Sequence, residues 1–274
     1  MPSDLHIHTS FSDGKLTPEE VVAAAKSVGL NYISITDHDT TEGIVHLYEN
    51  GLYPNRGIRI IPGIEFSAHH PEKEIHILGY YIDIFHHALQ EKLTDVTEAR
   101  WERFSEMVEK LQAHGYAIRE TDVLKIAGVS KSISRSHIAR ALVKAGCFAT
   151  IREAFDKMLA KGQPAYVPHF RLEVDEIIDL IHKAGGIAVL AHPKKIRDDD
   201  LVKELLGKGI QGIEVFYPQH DEEDVKRYME MAENYHLLAV GGSDFHGFPT
   251  RWPEQLGIFT IEDKWAEQFY RPEK

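Results

Sequence analysis

Thiol chemistry is almost missing from this sequence, whose 274 residues include one cysteine, Cys147. An internal disulfide and a thiolate-cluster zinc site are therefore excluded, which suits a reducing compartment, and Cys147 reads as a packing residue at a helix end. Long apolar runs are missing too. No stretch of about 18 hydrophobic residues occurs, and no basic segment leads into an apolar one at the N-terminus. The expectation is a cytoplasmic protein with no membrane partner. Positive charge is in deficit: 31 lysines and arginines face 43 aspartates and glutamates, a net charge of −12. Stable duplex nucleic-acid binding needs a basic footprint that this balance does not supply, although a local anion site is compatible with it. Internal repeats, low-complexity tracts and flexible Gly/Ser linkers are also absent.

What the chain has instead is histidine, 17 in all. Imidazole is the commonest metal-ligating side chain and a frequent proton carrier. Short β-like runs recur: SDLHIH, NYISITD, IRIIPGIEF, IHILGYY, GIAVLAH, QGIEVFY and LLAVGGSD. Helical patterns separate several of them. Thr17, Pro18 and Glu20 form a capping box with proline at the first helical position, ahead of Val21, Ala24, Ala25 and Val28, and Gly29 stops that helix. Val174, Ile177, Ile178 and Ile181 repeat the spacing, as do Val225, Tyr228, Met229 and Ala232. Strand alternating with helix predicts an α/β fold built on a parallel sheet. Between residues 89 and 164 the rhythm breaks. Leu93, Val96, Phe104, Met107, Val108 and Leu111 mark a long amphipathic helix with shorter ones after it, so this segment reads as a helical insertion or cap.

Nearly every strand-like run ends in a residue that can hold a metal. His6, His8 and Asp13 follow the first, Asp37, His38 and Asp39 the second and Glu65 the third; His76 lies on the fourth. His192 stands in AHP, and Asp244 and His246 in GSDFH. In a parallel barrel the C-terminal strand ends face one mouth, so scattered positions converge there. Alternation along DLHIH projects His6 and His8 to one side and sends Leu5 and Ile7 to the other. Asp4 reads as a structural residue near the bottom of that strand. One of Asp37 and Asp39 is expected to cap the turn before Thr40-Thr41, leaving His38 as the ligand. His76 interrupts an apolar run, as a buried ligand would, and Pro193 should hold His192 in extended backbone.

DLHIHTSFSDG, SITDHD, GIEFS, EIHILGYY, LAHP and GSDFH, in that order, resemble the motifs of the PHP family, the polymerase and histidinol phosphatase domains. The resemblance runs from residue 4 to about 247. SRSHIARALVKAG and YVP resemble the insertion of stand-alone PHP phosphoesterases that act on nucleoside monophosphates or 3′,5′-bisphosphates. The resemblance implies a distorted (β/α)7 barrel from residues 1–88 and 165–274, with residues 89–164 as a helical substrate cap. It also implies two or three divalent metals at the mouth. His6, His8, Glu65 and Asp244 would hold one; Glu65 would bridge to a second on His76 and His192; Asp13, His38 and His246 would hold a third.

Imidazole and carboxylate without thiolate suit manganese, iron or zinc. Three dications against three carboxylates would leave a pocket of about +3, attractive to phosphate. Two metals about 3.5 to 4 Å apart can supply a hydroxide and clamp both oxygens of an in-line displacement. The expected activity is hydrolysis of small phosphate monoesters, most simply nucleotides, by a metal-bridging hydroxide held at Glu65, His192 and Asp244. Ser134 reads as an N-cap, placing Arg135 at a first helical position where an anion is welcome. Arg135 and His137 are the expected grips on phosphate, with His169 and His220 as further substrate contacts. His69, His70, His86, His87, His114, His182 and His236 read as surface or packing residues. The alternatives are a 5′-3′ exonuclease on short oligonucleotides, a histidinol phosphatase, an amidohydrolase and a non-catalytic module of the kind attached to polymerases. The last is disfavoured because every ligand position is filled and only about thirty residues follow Asp244.

Overall fold

The structure is a computed structural model that describes residues 2–269 apart from 56, 169, 171 and 250. All seven β-like runs form strands: β1 (Pro2–Ile7), β2 (Tyr32–Ile35), β3 (Arg59–Ala68), β4 (Ile75–Tyr80), β5 (Ile187–Leu190), β6 (Gly212–Phe216) and β7 (Leu238–Gly241). They lie side by side in chain order, and a short β8 (Ile261–Glu262), which the sequence reading missed, adds antiparallel to the start of β1. The sheet curls until its ends meet. His8 N–H donates to the Phe245 carbonyl at 2.9 Å, and Phe245 N–H to that of His6 at 3.3 Å. The result is a distorted (β/α)7 barrel.

One strand departs from the parallel expectation. β4 runs antiparallel to both β3 and β5. Only a short, helix-free segment separates β3 from β4, too little for the crossover that a parallel neighbour requires. His76 reaches the common mouth because it lies near the start of a reversed strand, opposite Ser67.

α1 (Pro18–Ser27) has the predicted capping box and buries Val21, Val22 and Ala25. After it Gly29 takes a φ of 75°, a left-handed turn that glycine adopts without a Cβ penalty. α2 (Glu42–Glu49) follows β2. The β4–β5 connection holds α3 (His87–Ala113), α4 (Glu120–Ala127), α5 (Arg135–Lys144), α6 (Ile151–Ala154) running into a π turn, and α7 (Val174–Lys183). α8 (Asp199–Leu206) and α9 (Glu222–Asn234) complete the outer layer, and α10 (Lys264–Glu267) follows β8. His86 accepts from Leu89 N–H and caps α3, a more specific role than packing.

Apolar side chains form three bodies. An outer layer packs Ile33, Ile64 and Ile213 of the sheet against Ile177 and Ile181 of α7. Ile61, Leu78, Tyr80, Val189 and Val240 make a second body on the same strand faces as Glu65 and His76, and so floor the site. Leu5 joins this floor whereas Ile7 joins the outer layer, a correction to the shared face expected for them. The cause is a register shift in β1 between Asp4 and Ile7. The third body, with Phe104, Leu111, Val123, Leu142 and Leu159, belongs to the insertion. Leu89, Leu93 and Val96 of α3 pack on the barrel instead, so this helix links the two cores. Cys147 packs against the insertion core just beyond α5.

Candidate metal centre

The barrel mouth gathers all nine residues read as metal ligands around Glu65, which is fully buried. Its Oε1 lies 2.9 Å from His76 Nδ1 and 2.9 Å from His192 Nε2. Its Oε2 lies 3.0 Å from His38 Nδ1, 3.3 Å from His8 Nε2 and 3.4 Å from His6 Nε2. Asp244 Oδ1 is 3.2 Å from His8 Nε2 and 3.7 Å from His6 Nε2, and Asp13 Oδ1 is 3.1 Å from His246 Nε2 and 4.0 Å from His38 Nε2. Ligands held about 2.1 Å from one ion stand roughly 3.0 to 3.4 Å from each other, the range that dominates here. His6 Nε2, His8 Nε2, His38 Nδ1, Glu65 Oε2, Asp13 Oδ1 and His246 Nε2 are buried without a hydrogen-bond partner. Orphaned atoms converging at ligand spacing, all nitrogen or carboxylate oxygen, fit divalent cations. Three sets have donor atoms within 4.8 Å of one another: His8, Asp13, His38 and His246; His6, His8 and Asp244; His38, Glu65 and His76.

The backbone bends sharply to aim these side chains. His192 has a φ of 28° and Asp244 one of 52°, values uncommon for non-glycine residues. His192 is therefore not extended ahead of Pro193. Its N–H turns instead to Glu214 Oε2 at 2.7 Å. Glu214 also accepts from His6 Nδ1–H at 3.0 Å, which aims His6 Nε2 at the centre. The sequence reading passed over Glu214, although a fully buried carboxylate within GIEVF carries the same signal as His76, a polar residue breaking an apolar strand.

Neither Asp37 nor Asp39 caps α2, whose N-cap is Thr41. Asp37 accepts from Thr9 N–H at 2.7 Å, Thr9 Oγ1 at 2.6 Å and Ser12 Oγ at 2.5 Å, bracing the loop that carries Asp13. Asp39 accepts from Ser67 N–H at 2.8 Å and pairs with Arg100 of α3. Asp4 accepts from Ser243 N–H at 2.8 Å and so ties β1 to the Asp244 loop, a structural role as expected.

Burial alone would lower the His8 imidazole, but Asp244 and Glu65 outweigh it and raise it to about 9. Burial opposes ionisation of Glu65, yet His38, His76 and His6 hold it well below the usual carboxylate range. Asp244 is held low in the same way by Arg251 and Lys195. Burial, helped by the Lys195 charge, pushes His192 down to about 3, and burial with Arg251 does the same to His246. A cation needs the bare nitrogen of His8, so below about pH 9 its uptake must expel a proton. His6, held well above the usual imidazole range by Glu214 and Glu65 against the cost of burial, must give up a proton too, so the apparent affinity for Mn2+ is expected to rise with pH by at least about tenfold per unit between about pH 6 and 8. Calorimetric titration in buffers of different protonation enthalpy measures that release. A flat affinity with no proton release would contradict the charge state derived for His8.

Above the ligands lies a cavity of about 690 Å³. Asp13, His38, His76 and His246 line it from the barrel, and Arg100, Arg103, Arg135, Arg140 and Phe155 from the insertion. With Arg152, Lys195 and Arg251, seven cations meet two carboxylates, Asp13 and Glu74, among the described lining residues. This inverts the acidic balance of the whole chain. Arg135, the expected grip on phosphate, lines the cavity 3.2 Å from Glu74 and over the rings of Phe155 and Tyr166. His137 and His220 do not. His137 is spent on structure, its Nδ1 accepting from Ser134 N–H at 3.0 Å. His220 donates to the Val215 carbonyl at 2.8 Å, packs on Tyr217 and Tyr228, and faces a separate cavity along α9. His169 lies outside the described residues. Arg100, Arg103, Arg140, Lys195 and Arg251 were not anticipated, since on a helix or loop they read as solvated charge. Arg251 and Lys195 both reach Asp244 at 3.1 Å, and Tyr217 donates to it at 2.9 Å.

A family model of the PHP domain matches residues 4–241. Among curated proteins, the 5′-3′ exoribonuclease Rnm of Escherichia coli K12 is 37% identical over 259 residues, covering 92% of this chain and 87% of its own length. A 3′,5′-nucleoside bisphosphate phosphatase of Chromobacterium violaceum is 35% identical over 248 residues, 89% and 86% of the two chains. A solved structure from Chromobacterium violaceum, named an amidohydrolase and carrying bound sulfate without metal, matches with a TM-score of 0.86 at 32% identity, over 99% of this chain and 98% of that one.

Proposed function

This chain belongs to the PHP domain family, and from that premise we propose that its phosphoesterase activity is directed at small phosphorylated nucleotides. It is a metal-dependent phosphoesterase of PHP type, a hydrolase acting on phosphate esters. The proposed ligand sets are His6, His8, Glu65 and Asp244; Glu65, His76 and His192; and Asp13, His38 and His246. Two or three manganese, iron or zinc ions there would activate water and neutralise phosphoryl oxygens.

The cation-lined cavity carries the substrate reading. Its volume of about 690 Å³ falls in the range of small-molecule sites, of order 300 to 1,000 Å³. Arginine suits phosphate because its planar fork donates two parallel hydrogen bonds. Arg103, Arg135 and Arg140 therefore bind and orient the anion, while the insertion walls bulk water from it. A neutral C–N substrate would make no use of this cationic lining. Histidinol phosphate would need a free carboxylate for its amine, and Glu74 is already engaged by Arg135. The relative named as a 3′,5′-nucleoside bisphosphate phosphatase supports the same class of substrate.

A second reading draws on the relative named as an exoribonuclease: the end of a short oligonucleotide would enter the same cavity. Turnover of nucleoside 3′,5′-bisphosphates, mononucleotides, histidinol phosphate and RNA of two to five nucleotides separates the two. The expected order of kcat/KM puts bisphosphates or mononucleotides first; oligonucleotides ahead by tenfold would install the exonuclease reading instead. Arg135→Ala is expected to raise KM about tenfold or more with metal content unchanged, the cost of one charge-assisted hydrogen bond of about 1.5 to 3 kcal/mol. An unaltered KM would reduce Arg135 to a partner of Glu74.

A further inference from the structure

The insertion does more than face the substrate: it grips the backbone of two loops that carry ligands. Ser130 Oγ donates to the Phe11 carbonyl at 3.0 Å. Ser132 Oγ donates at 2.8 Å to the carbonyl of His38 itself. His137 accepts the Ser134 N–H on Nδ1, which leaves the proton on Nε2, and the imidazole hydrogen-bonds the Ser12 backbone. Arg100 pairs with Asp39. Ser132 and His137 are each 1% exposed, so water does not replace these bonds when they are lost.

Barrel and insertion share the hold on these two loops. Phe11 and Ser12 lead directly into Asp13, and His38 and Asp39 form the tip of the β2–α2 loop. From the barrel side Asp37 braces the first loop at Ser12, the His246 carbonyl accepts from Lys15 N–H at 2.8 Å and the Glu65 carbonyl from Asp39 N–H at 2.9 Å; the insertion holds the Phe11, Ser12 and His38 backbone from the other side. The other ligands are steadied by the barrel alone. Glu214 orients His6 and the His192 backbone, Asp4 holds the Ser243 backbone, and Tyr217 touches Asp244.

We propose that Ser132 and His137 are positioning residues for the Asp13, His38 and His246 group, so that occupancy of this one metal position depends on the insertion. The inference rests on the ligand sets proposed above. Ligand atoms must sit within about 0.2 Å of their ideal distances, and loss of an outer support typically weakens metal binding by about 10- to 100-fold. A cap that also builds a metal position makes substrate enclosure and metal loading a single event.

The test titrates the metal-free full-length protein with Mn2+ and follows free Mn2+ by electron paramagnetic resonance, giving the number of ions bound and their dissociation constants. Ser132→Ala and His137→Phe are expected to weaken one ion by at least about tenfold and leave the rest within about twofold. Ser132→Thr, which keeps the hydroxyl, should recover the lost ion. Circular dichroism and thermal melts confirm that each variant is folded; Ser132→Ala, the smaller change, carries the test if His137→Phe is not. Asp13→Asn supplies the reference. If it loses one ion while Ser132→Ala loses none, or if Ser132→Ala weakens all ions alike, the positioning role is overturned and the ligand sets stand. If Asp13→Asn binds as many ions as the native chain, the ligand reading of that group falls, and this proposal with it.

Discussion

Glu65→Gln is expected to lower kcat/KM by at least about 10³-fold and to release metal. The side chain is fully buried, and five imidazoles, those of His6, His8, His38, His76 and His192, approach its two oxygens at 2.9 to 3.4 Å. Glutamine keeps the shape but offers one neutral oxygen and one NH2 group, which carries no lone pair for a cation. Losing a shared ligand removes several kcal/mol of charge stabilisation, and each 1.36 kcal/mol is tenfold in rate. Elemental analysis of the purified variant beside steady-state turnover makes the measurement. Native metal content with native turnover would end the assignment of Glu65 as the bridge.

Arg100→Met should cost stability rather than chemistry in the first instance, by about 3 to 5 kcal/mol. Arg100 and Asp39 are 4% and 2% exposed, so removing the guanidinium leaves in a dry interior a carboxylate that has lost the cation it pairs with. For a chain of this size the loss corresponds to a fall in Tm of about 6 to 20 °C. Thermal and urea unfolding read it directly. The paired change Arg100→Met with Asp39→Leu should recover much of the loss, because two apolar groups leave no charge unpaired. A single variant within 1 kcal/mol of native would mean that solvent reaches Asp39.

The candidate metal centre was legible because its signal is local. His6, Glu65 and His76 each break an apolar strand, and His8, Asp13, His38, His192, Asp244 and His246 sit just beyond one; residue type and strand position suffice to select them. The same rule applied to GIEVF would have found Glu214. Position along a strand was less readable. The reversal of β4 and the turned backbone of His192 come from pairing and from hydrogen bonds to distant groups, such as Glu214 for His192, and no neighbour in sequence encodes them.

The cavity was the hardest part to foresee. Arg100 and Arg103 sit within a helix whose charged pattern looks solvent-facing, and Arg140 and Arg251 lie in unremarkable surroundings. Folding of α3 and α5 over the barrel sets Arg100 against Asp39 across 61 residues, buries Arg100 and Arg103, and brings both together with Arg140 and Arg251 around one cavity.

The sequence by itself determined strands β1 to β7 and the identities of the nine converging side chains, because side-chain chemistry and alternation act over a few residues. Only the tertiary structure decided how these ligands share Glu65, which histidines were spent on holding loops, and that an acidic chain presents a cationic cavity. Those depend on which charges are brought together out of water, and that is a property of packing between elements far apart in the chain.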